Sequence, residues 1–380
     1  MQKKIIGVAI MAAIACIFFL YACVSKNEII AEKELFFDDE NNFEFTYEKI
    51  IFLETSSDCL INQIKQLEIV NDKIFILDIF ELYVFDLNGK YIQTLGKRGS
   101  GPEEYISPLT FNIDKSKNTI SIFDHQLNAY IVYDLNSYKF IKKKTIPFQV
   151  DDMCFMNDGN FLFLTNVQDR NGENTFHFNI TNSNFKIINS YIHIDFSSGH
   201  MYPPFKNIYN LAGNTYGFIR FNNIIYKIET NKITPKYSLK FKNYKFPPIE
   251  LLEKETESAF NKNYYPWLSE SGYIISYNII ETDSALCVDY LVNKDRYFGF
   301  YNKQTNQIYH YEMKQFQEIS GIYGIESIVG KSYDNCFVSI VYPYMIKNQV
   351  ESNTNNLIKS KIAIDNINAD DNPILFLFKF

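Results

Sequence analysis

Between Lys73 and Gly96 the chain reads KIFILDIFELYVFDLNGKYIQTLG, and between Asn118 and Ile146 it reads NTISIFDHQLNAYIVYDLNSYKFIKKKTI. The two stretches share one order of short apolar runs, a tight turn and a further run. Phe85-Asp86-Leu87-Asn88 of the first aligns with Tyr133-Asp134-Leu135-Asn136 of the second. Asn88-Gly89 is a strong hairpin signal, because both residues accept the positive φ of the turn. Weaker copies follow at Gly159 to Ile192, Asn214 to Phe241 and Ala285 to Met313. Valine, isoleucine, tyrosine and phenylalanine fill the runs, and asparagine, aspartate, glycine and lysine fill the turns. A unit of four strands recurring every roughly 40–50 residues specifies a β-propeller. Unit centres fall near Phe75, Ile122, Phe163, Phe218, Val288 and Val338. The expected fold is therefore all-β: a six-bladed propeller of four-stranded blades.

The ends of the chain say how such a ring closes. Asp371 to Phe380 (DNPILFLFKF) holds one apolar strand with nothing after it, so the sixth blade lacks an outer strand. Asn42 to Glu54 (NFEFTYEKIIFLE) is rich in strand formers and belongs to no blade of its own. The N-terminal strand is expected to close the last blade, which removes a loose sheet edge. Two segments break the repeat. Pro247 to Trp267 opens with prolines and then carries leucine, alanine and phenylalanine at helical spacing, as a short helix between blades four and five would. Pro343 to Asp371 is polar and Asn-rich and reads as a long loop within blade six.

The first residues are of a different kind. Lys3 and Lys4 precede an apolar run from Ile5 to Leu20, shorter than the roughly 20 residues a spanning helix needs. Small residues follow, and the pattern is that of a secretory signal peptide. Leu20-Tyr21-Ala22-Cys23 resembles the bacterial lipoprotein signal, which implies cleavage before Cys23, a lipid on its thiol and membrane anchoring by several acyl chains. Val24, rather than aspartate, follows the cysteine, and the resemblance then implies the outer membrane. The expected organisation is a signal peptide at 1–22, a flexible tether at 23–41 and the propeller at 42–380. Beyond Cys16 and Cys23, Cys59, Cys154, Cys287 and Cys336 are widely spaced, and the last three lie in apolar runs. They read as buried thiols behaving as small hydrophobes, with disulfides the alternative in an exported chain. A formal net charge of −7, made more negative by loss of Lys3 and Lys4, argues against a nucleic-acid partner.

Leu95 to Tyr105, LGKRGSGPEEY, is the densest glycine cluster. It lacks the Lys-Ser/Thr that a phosphate-binding loop needs after Gly101, and its glycine order is not a dinucleotide fingerprint. It reads as a tight crossover from the outer strand of blade one to the inner strand of blade two. Gly96 to Tyr105 with Pro108 resembles the inter-blade signature of the six-bladed β-propeller lipoproteins of Bacteroidetes, relatives of NHL-repeat propellers. The closing NPILFLFKF resembles the end of that family. The resemblance covers essentially the whole mature chain. It implies the fold and an envelope location, and it assigns little function.

Local catalytic motifs are missing from the sequence. His125, His177, His193, His200 and His310 show no HExxH spacing, and no G-x-S-x-G elbow occurs. Asp124-His125 could face the channel as ligands or cap a strand end. Arg98 and Glu103, with Tyr105, lie on the crossover and could line a binding face. Ser198 to Phe205, with His200, and Asn263 to Trp267 put aromatics and prolines on inter-blade segments, as a platform for a sugar or peptide or as packing for the loops. The expectation is a lipid-anchored binding or scaffold module for a protein or glycan-related partner, with Arg98, Glu103, Tyr105, His200 and Trp267 as candidate contacts and Cys23 as the lipid site. No cofactor is expected, although calcium or zinc could be held by the channel. The alternative is a metal-dependent NHL-like lyase or a lactonase with its site in that channel.

Overall fold

A computed structural model describes residues 29–37, 45–148, 150–166, 175–195, 206–257, 264–332, 334–346 and 367–379. The described residues begin with β1 (Lys33–Phe37) and β2 (Thr46–Phe52). Blade one is β3 (Gln66–Val70), β4 (Lys73–Leu77), β5 (Leu82–Asp86) and β6 (Tyr91–Leu95). The crossover carries a short parallel pair, β7 (Lys97–Arg98) and β8 (Glu104–Tyr105). Blade two is β9 (Pro108–Asp114), β10 (Thr119–Asp124), β11 (Ala129–Asp134) and β12 (Phe140–Thr145). Blade three is β13 (Asp152–Phe155), β14 (Phe161–Leu164), β15 (Phe176–Thr181) and β16 (Ile187–His193). Blade four is β17 (Ile208–Leu211), β18 (Asn214–Phe218), β19 (Ile224–Glu229) and β20 (Lys232–Phe241).

Two helices, α1 (Ile249–Glu257) and α2 (Tyr264–Glu270), then lead to blade five, where the proline-led segment predicts a single short one. That blade is β21 (Ile274–Glu281), β22 (Ala285–Val292), β23 (Asp295–Asn302) and β24 (Ile308–Glu312). Helix α3 (Met313–Ser320) crosses to blade six, whose strands are β25 (Ile325–Ser332), β26 (Phe337–Val341) and β27 (Ile374–Lys379). The Asn-rich insertion between β26 and β27 lies largely outside the described residues.

Each blade is an antiparallel meander, and all six sequence centres fall on second strands. Blade six takes β2 as its outer strand, antiparallel to β27 with Thr46 opposite Lys379 and Phe52 opposite Ile374. The N-terminal strand therefore closes the ring. Blades six and one are further joined by parallel pairing of β25 with β3. That pairing requires Gly330, since a Cβ there would stand 2.4 Å from the Leu67 carbonyl oxygen.

Aromatic rings fill the wedges between blades. Phe75 meets Phe111 at 6.4 Å between ring centres, Tyr130 meets Phe161 at 5.2 Å, and Phe178 meets Tyr226 at 6.1 Å. Phe218 meets Tyr277 at 4.9 Å and Phe300 meets Phe337 at 5.9 Å. These pairs carry the ring from blade one to blade six, and the 34 phenylalanines and 28 tyrosines supply them. Large rings suit the task because a wedge widens outwards and needs volume.

One sequence expectation is corrected. Residues 23–41 do not form a flexible tether throughout, because β1 adds to blade four as a fifth strand, parallel to β20. Leu35 and Phe37 are fully buried. Phe37 stacks on Phe241 at 5.5 Å and lies over Gly299 of blade five, where a Cβ would approach its ring to 2.4 Å. The segment so joins blade four to blade five before β2 joins blade six. Burial of these two large side chains, together with the ladder to β20, offsets the entropy of ordering the segment.

Cys59, Cys154, Cys287 and Cys336 are all buried and free. A soluble form beginning after Cys23 should leave these thiols unreactive towards a disulfide reagent while folded and expose all of them in denaturant. Phe37→Ala should cost about 3–5 kcal/mol in a urea unfolding curve, the range for a buried phenylalanine that leaves a cavity.

Candidate functional site

The inner strands of a propeller have one edge paired within the blade and one edge turned to the axis. The backbone groups on that free edge need partners. Here polar side chains reach from one inner strand to the main chain of the next. Gln66 of blade one receives the Phe111 N–H on its Oε1 at 3.0 Å and donates through Nε2 to the Phe111 carbonyl at 2.8 Å. Asn112 of blade two donates to the Met153 carbonyl at 2.8 Å. Asp152 of blade three accepts the N–H groups of Asn207 and Ile208 at 2.7 and 2.9 Å. Asp289, on the second strand of blade five, accepts the Ile328 N–H of blade six at 3.2 Å, while Arg296 holds it by two bonds of 3.0 and 2.8 Å. Lys331 of blade six donates back to the Glu281 carbonyl at 2.6 Å.

The channel holds charges in mutually neutralising sets. Glu281 accepts from Tyr209 at 2.6 Å and from Tyr237 at 3.2 Å, and pairs with Lys303 at 2.7 Å. Burial beside this carboxylate drives the Tyr209 and Tyr237 hydroxyls upward, so both stay protonated donors. Burial pushes the Lys331 ammonium down, and Glu68 and Glu281 oppose the shift. Asp152 is raised by burial, against the pull of Lys206 and its backbone donors. Lys206 itself donates to the Phe111 carbonyl and to Asn112 at 2.9 and 2.8 Å. Among the described residues no group of three or more His, Cys, Asp or Glu side chains is arranged to share a metal ion.

The channel widens into a cavity of about 880 Å³. Its mouth lies at the β9–β10, β13–β14, β17–β18 and β21–β22 turns, and a groove runs from it between blades two and three. Seven lysines line this space against four acidic residues, in a chain whose net charge is −7. Lys117 lies over the Phe155 ring, and Lys142 and Lys144 stand exposed on β12. The arrangement concentrates positive charge and aromatic surface in one concave region, the combination that holds an acidic ligand.

The glycine-rich stretch is a structural corner. Gly96 has φ of +75°, and a Cβ there would meet the Tyr133 hydroxyl at 2.5 Å. The Glu104 carboxylate accepts the Gly101 N–H at 2.8 Å, and Lys143 ties the Gly101 and Glu104 carbonyls at 2.8 and 2.9 Å. Tyr105 is fully buried, donating to the Leu95 carbonyl at 2.8 Å and accepting the Leu82 N–H at 3.2 Å. Glu103 is exposed, and its carbonyl accepts the Tyr133 hydroxyl at 2.7 Å. Arg98 is exposed with its guanidinium 4.6 Å from the centre of the Phe80 ring. Trp267 is half-buried on α2 and packs on Leu268 and Ile275. The corner gathers Arg98, Glu103 and Tyr105; Trp267 stands apart from them, and none of the four lines the cavity. His200 and Cys23 lie outside the described residues. Asp124 is buried and accepts the N–H groups of Ile106, Ser107 and Leu127, so it fastens the crossover to blade two.

Sequence reasoning missed Gln66, Asn112, Asp152, Glu281 and Lys331. Their signal was available: each is a polar residue set in an apolar run of an inner strand.

The fold and the cavity can be set beside known proteins. Residues 25–340 match the model of the DUF5128 family, described as a 6-bladed beta-propeller. The chain belongs to this family. A crystal structure of a Bacteroides fragilis NCTC 9343 protein, provisionally described as exported, is similar over 91% of this chain and 99% of its own, with 27% identity and a TM-score of 0.83. A member of the DUF4221 family from Bacteroides vulgatus shares the fold at 12% identity and a TM-score of 0.51, over 90% of this chain and 99% of its own. No curated protein matches the chain.

Asp152→Ala should remove the acceptor of three buried N–H groups, those of Met153, Asn207 and Ile208, and cost about 2–5 kcal/mol. Replacement of the exposed Asp58 by alanine should stay within about 0.5 kcal/mol, and chemical denaturation of both variants checks the contrast.

Proposed function

We propose that the chain is a lipid-anchored propeller of the cell envelope that works by binding and not by catalysis. Its partner is acidic, a glycan-derived or protein ligand carrying carboxylates, and it occupies the cavity and the groove between blades two and three. The lysine surplus in that space carries the reading, because it runs against the negative charge of the whole chain. An acidic partner meets a local attractive field where most of the surface would repel it. The Leu20-Tyr21-Ala22-Cys23 signal supports anchoring at the outer membrane through Cys23. The similarity to a protein provisionally described as exported supports export from the cytoplasm. Arg98, Glu103 and Trp267, on exposed or half-buried segments away from the cavity, serve as secondary contacts for a large partner.

Calorimetric titration with an oligouronate, and with its neutral counterpart of equal length, tests the reading. The acidic oligomer should bind, weakening as salt is raised, and the neutral one should not. The double variant Lys142→Glu, Lys144→Glu changes two exposed side chains and should lower affinity at least tenfold, about 1.4 kcal/mol. Equal binding of both oligomers, or an unchanged affinity in the variant, would remove the lysines from the function.

A further inference from the structure

The path of the N-terminus fixes how the ring is presented to a membrane. In blade four the β17–β18 and β19–β20 turns lie at one face, and β20 runs from that face to the opposite one, where the crossovers lie. Strand β1 is parallel to β20, with Lys33 opposite Tyr237 and Phe37 opposite Phe241. The chain therefore rises from the turn face. It is held there before the strand begins, since the Glu32 N–H bonds the Pro235 carbonyl at 3.0 Å and the Glu32 carboxylate pairs with Lys236 at 2.7 Å.

Immediately before this clamp stand Ile29 and Ile30, 53% and 88% exposed. These two large aliphatic side chains belong to none of the apolar cores among the described residues. Cys23 stands six residues before Ile29, a stretch that spans at most about 21 Å when fully extended. Strand β20 has ten residues and a rise of about 3.3 Å each, so the ring is about 30 Å tall at this blade. A tether of that reach cannot pass from the turn face around the blade to a membrane on the crossover side.

We propose that the turn face of the ring, at the rim of blade four, lies against the bilayer, with Ile29 and Ile30 in the interfacial layer and the cavity mouth opening towards the membrane surface. The proposal rests on the reading of Cys23 as the lipid site. Isoleucine at the headgroup boundary adds apolar burial to the acyl anchor and limits rotation of the ring about a single tether. A partner of the cavity then reaches it along the membrane surface, and the crossover face with α1, α2 and α3 is turned to the aqueous side.

Full-length lipoprotein reconstituted in phosphatidylethanolamine–phosphatidylglycerol vesicles tests this. A fluorophore is placed on Lys232→Cys at the turn face or on Asn243→Cys beyond the other end of β20. The four native thiols of the ring are buried, so labelling is directed to the introduced one. Energy transfer to a headgroup-labelled lipid should be several-fold stronger from position 232 than from position 243. Introducing Ile29→Glu and Ile30→Glu together should weaken transfer from position 232. Equal transfer from the two sites, or stronger transfer from 243, overturns the orientation. The mass of the N-terminal peptide is measured on the same sample. If Cys23 carries no diacylglyceryl group, the anchoring reading fails and the orientation falls with it. If the lipid is present, the orientation is judged by transfer alone.

Discussion

Every blade of this ring has an inner strand with one edge that its own blade leaves unpaired, and the structure depends on how those edges are satisfied. A backbone N–H or carbonyl left without a partner inside the channel would cost about as much as a lost hydrogen bond, repeated around six blades. The ring meets the demand in two ways. Between blades six and one, β25 and β3 pair directly, made possible by the missing side chain at Gly330. At the other junctions a side chain crosses the gap, as Gln66, Asn112, Asp152 and Asp289 do. These groups are buried and committed to the main chain. The channel is therefore lined by polar residues whose first task is to hold the blades in register.

That commitment separates structure from recognition in this molecule. Asp152, Glu281 and Asp289 are charged groups in low-dielectric surroundings, yet each faces a full set of donors. A buried carboxylate so satisfied is costly to disturb and poorly placed to take up a new partner. The lysines of the groove differ. Lys142 and Lys144 stand at the solvent-facing edge strand of blade two, where a charged edge also discourages strand pairing with another chain. Protection of an edge and attraction of an acidic partner use the same residues, since both rest on an exposed positive charge.

Much of the fold was legible in the sequence because propellers repeat. The alignment of Phe85-Asp86-Leu87-Asn88 with Tyr133-Asp134-Leu135-Asn136 locates the third strand of two blades and the turn after it, and the structure places both there. The closing strand was legible from a deficit, an apolar end at Asp371 to Phe380 with no partner strand of its own. The crossover at Gly96 to Tyr105 read as a corner, and the positive φ at Gly96 together with the buried Tyr105 gives the reason. Strand β1 was not legible. KELFF has no repeat to belong to, and its partner β20 lies some two hundred residues away. The cavity was equally hidden, because its lysines come from the turns and strands of separate blades and none of them forms a local motif.

The sequence by itself determined the class of fold, the number of blades, the closure of the last one and the apolar setting of Cys154, Cys287 and Cys336. Each of these follows from local period, turn chemistry or hydrophobic context, which are properties of neighbouring residues. The tertiary structure alone decided which polar side chains bridge the inner edges, where the lysines gather, and on which face the N-terminus leaves the ring. Those are distances between residues far apart in the chain. They exist only after six meanders have closed on one another, when the register of Phe37 against Phe241, or of Lys331 against Glu68, is set by packing across the whole circle.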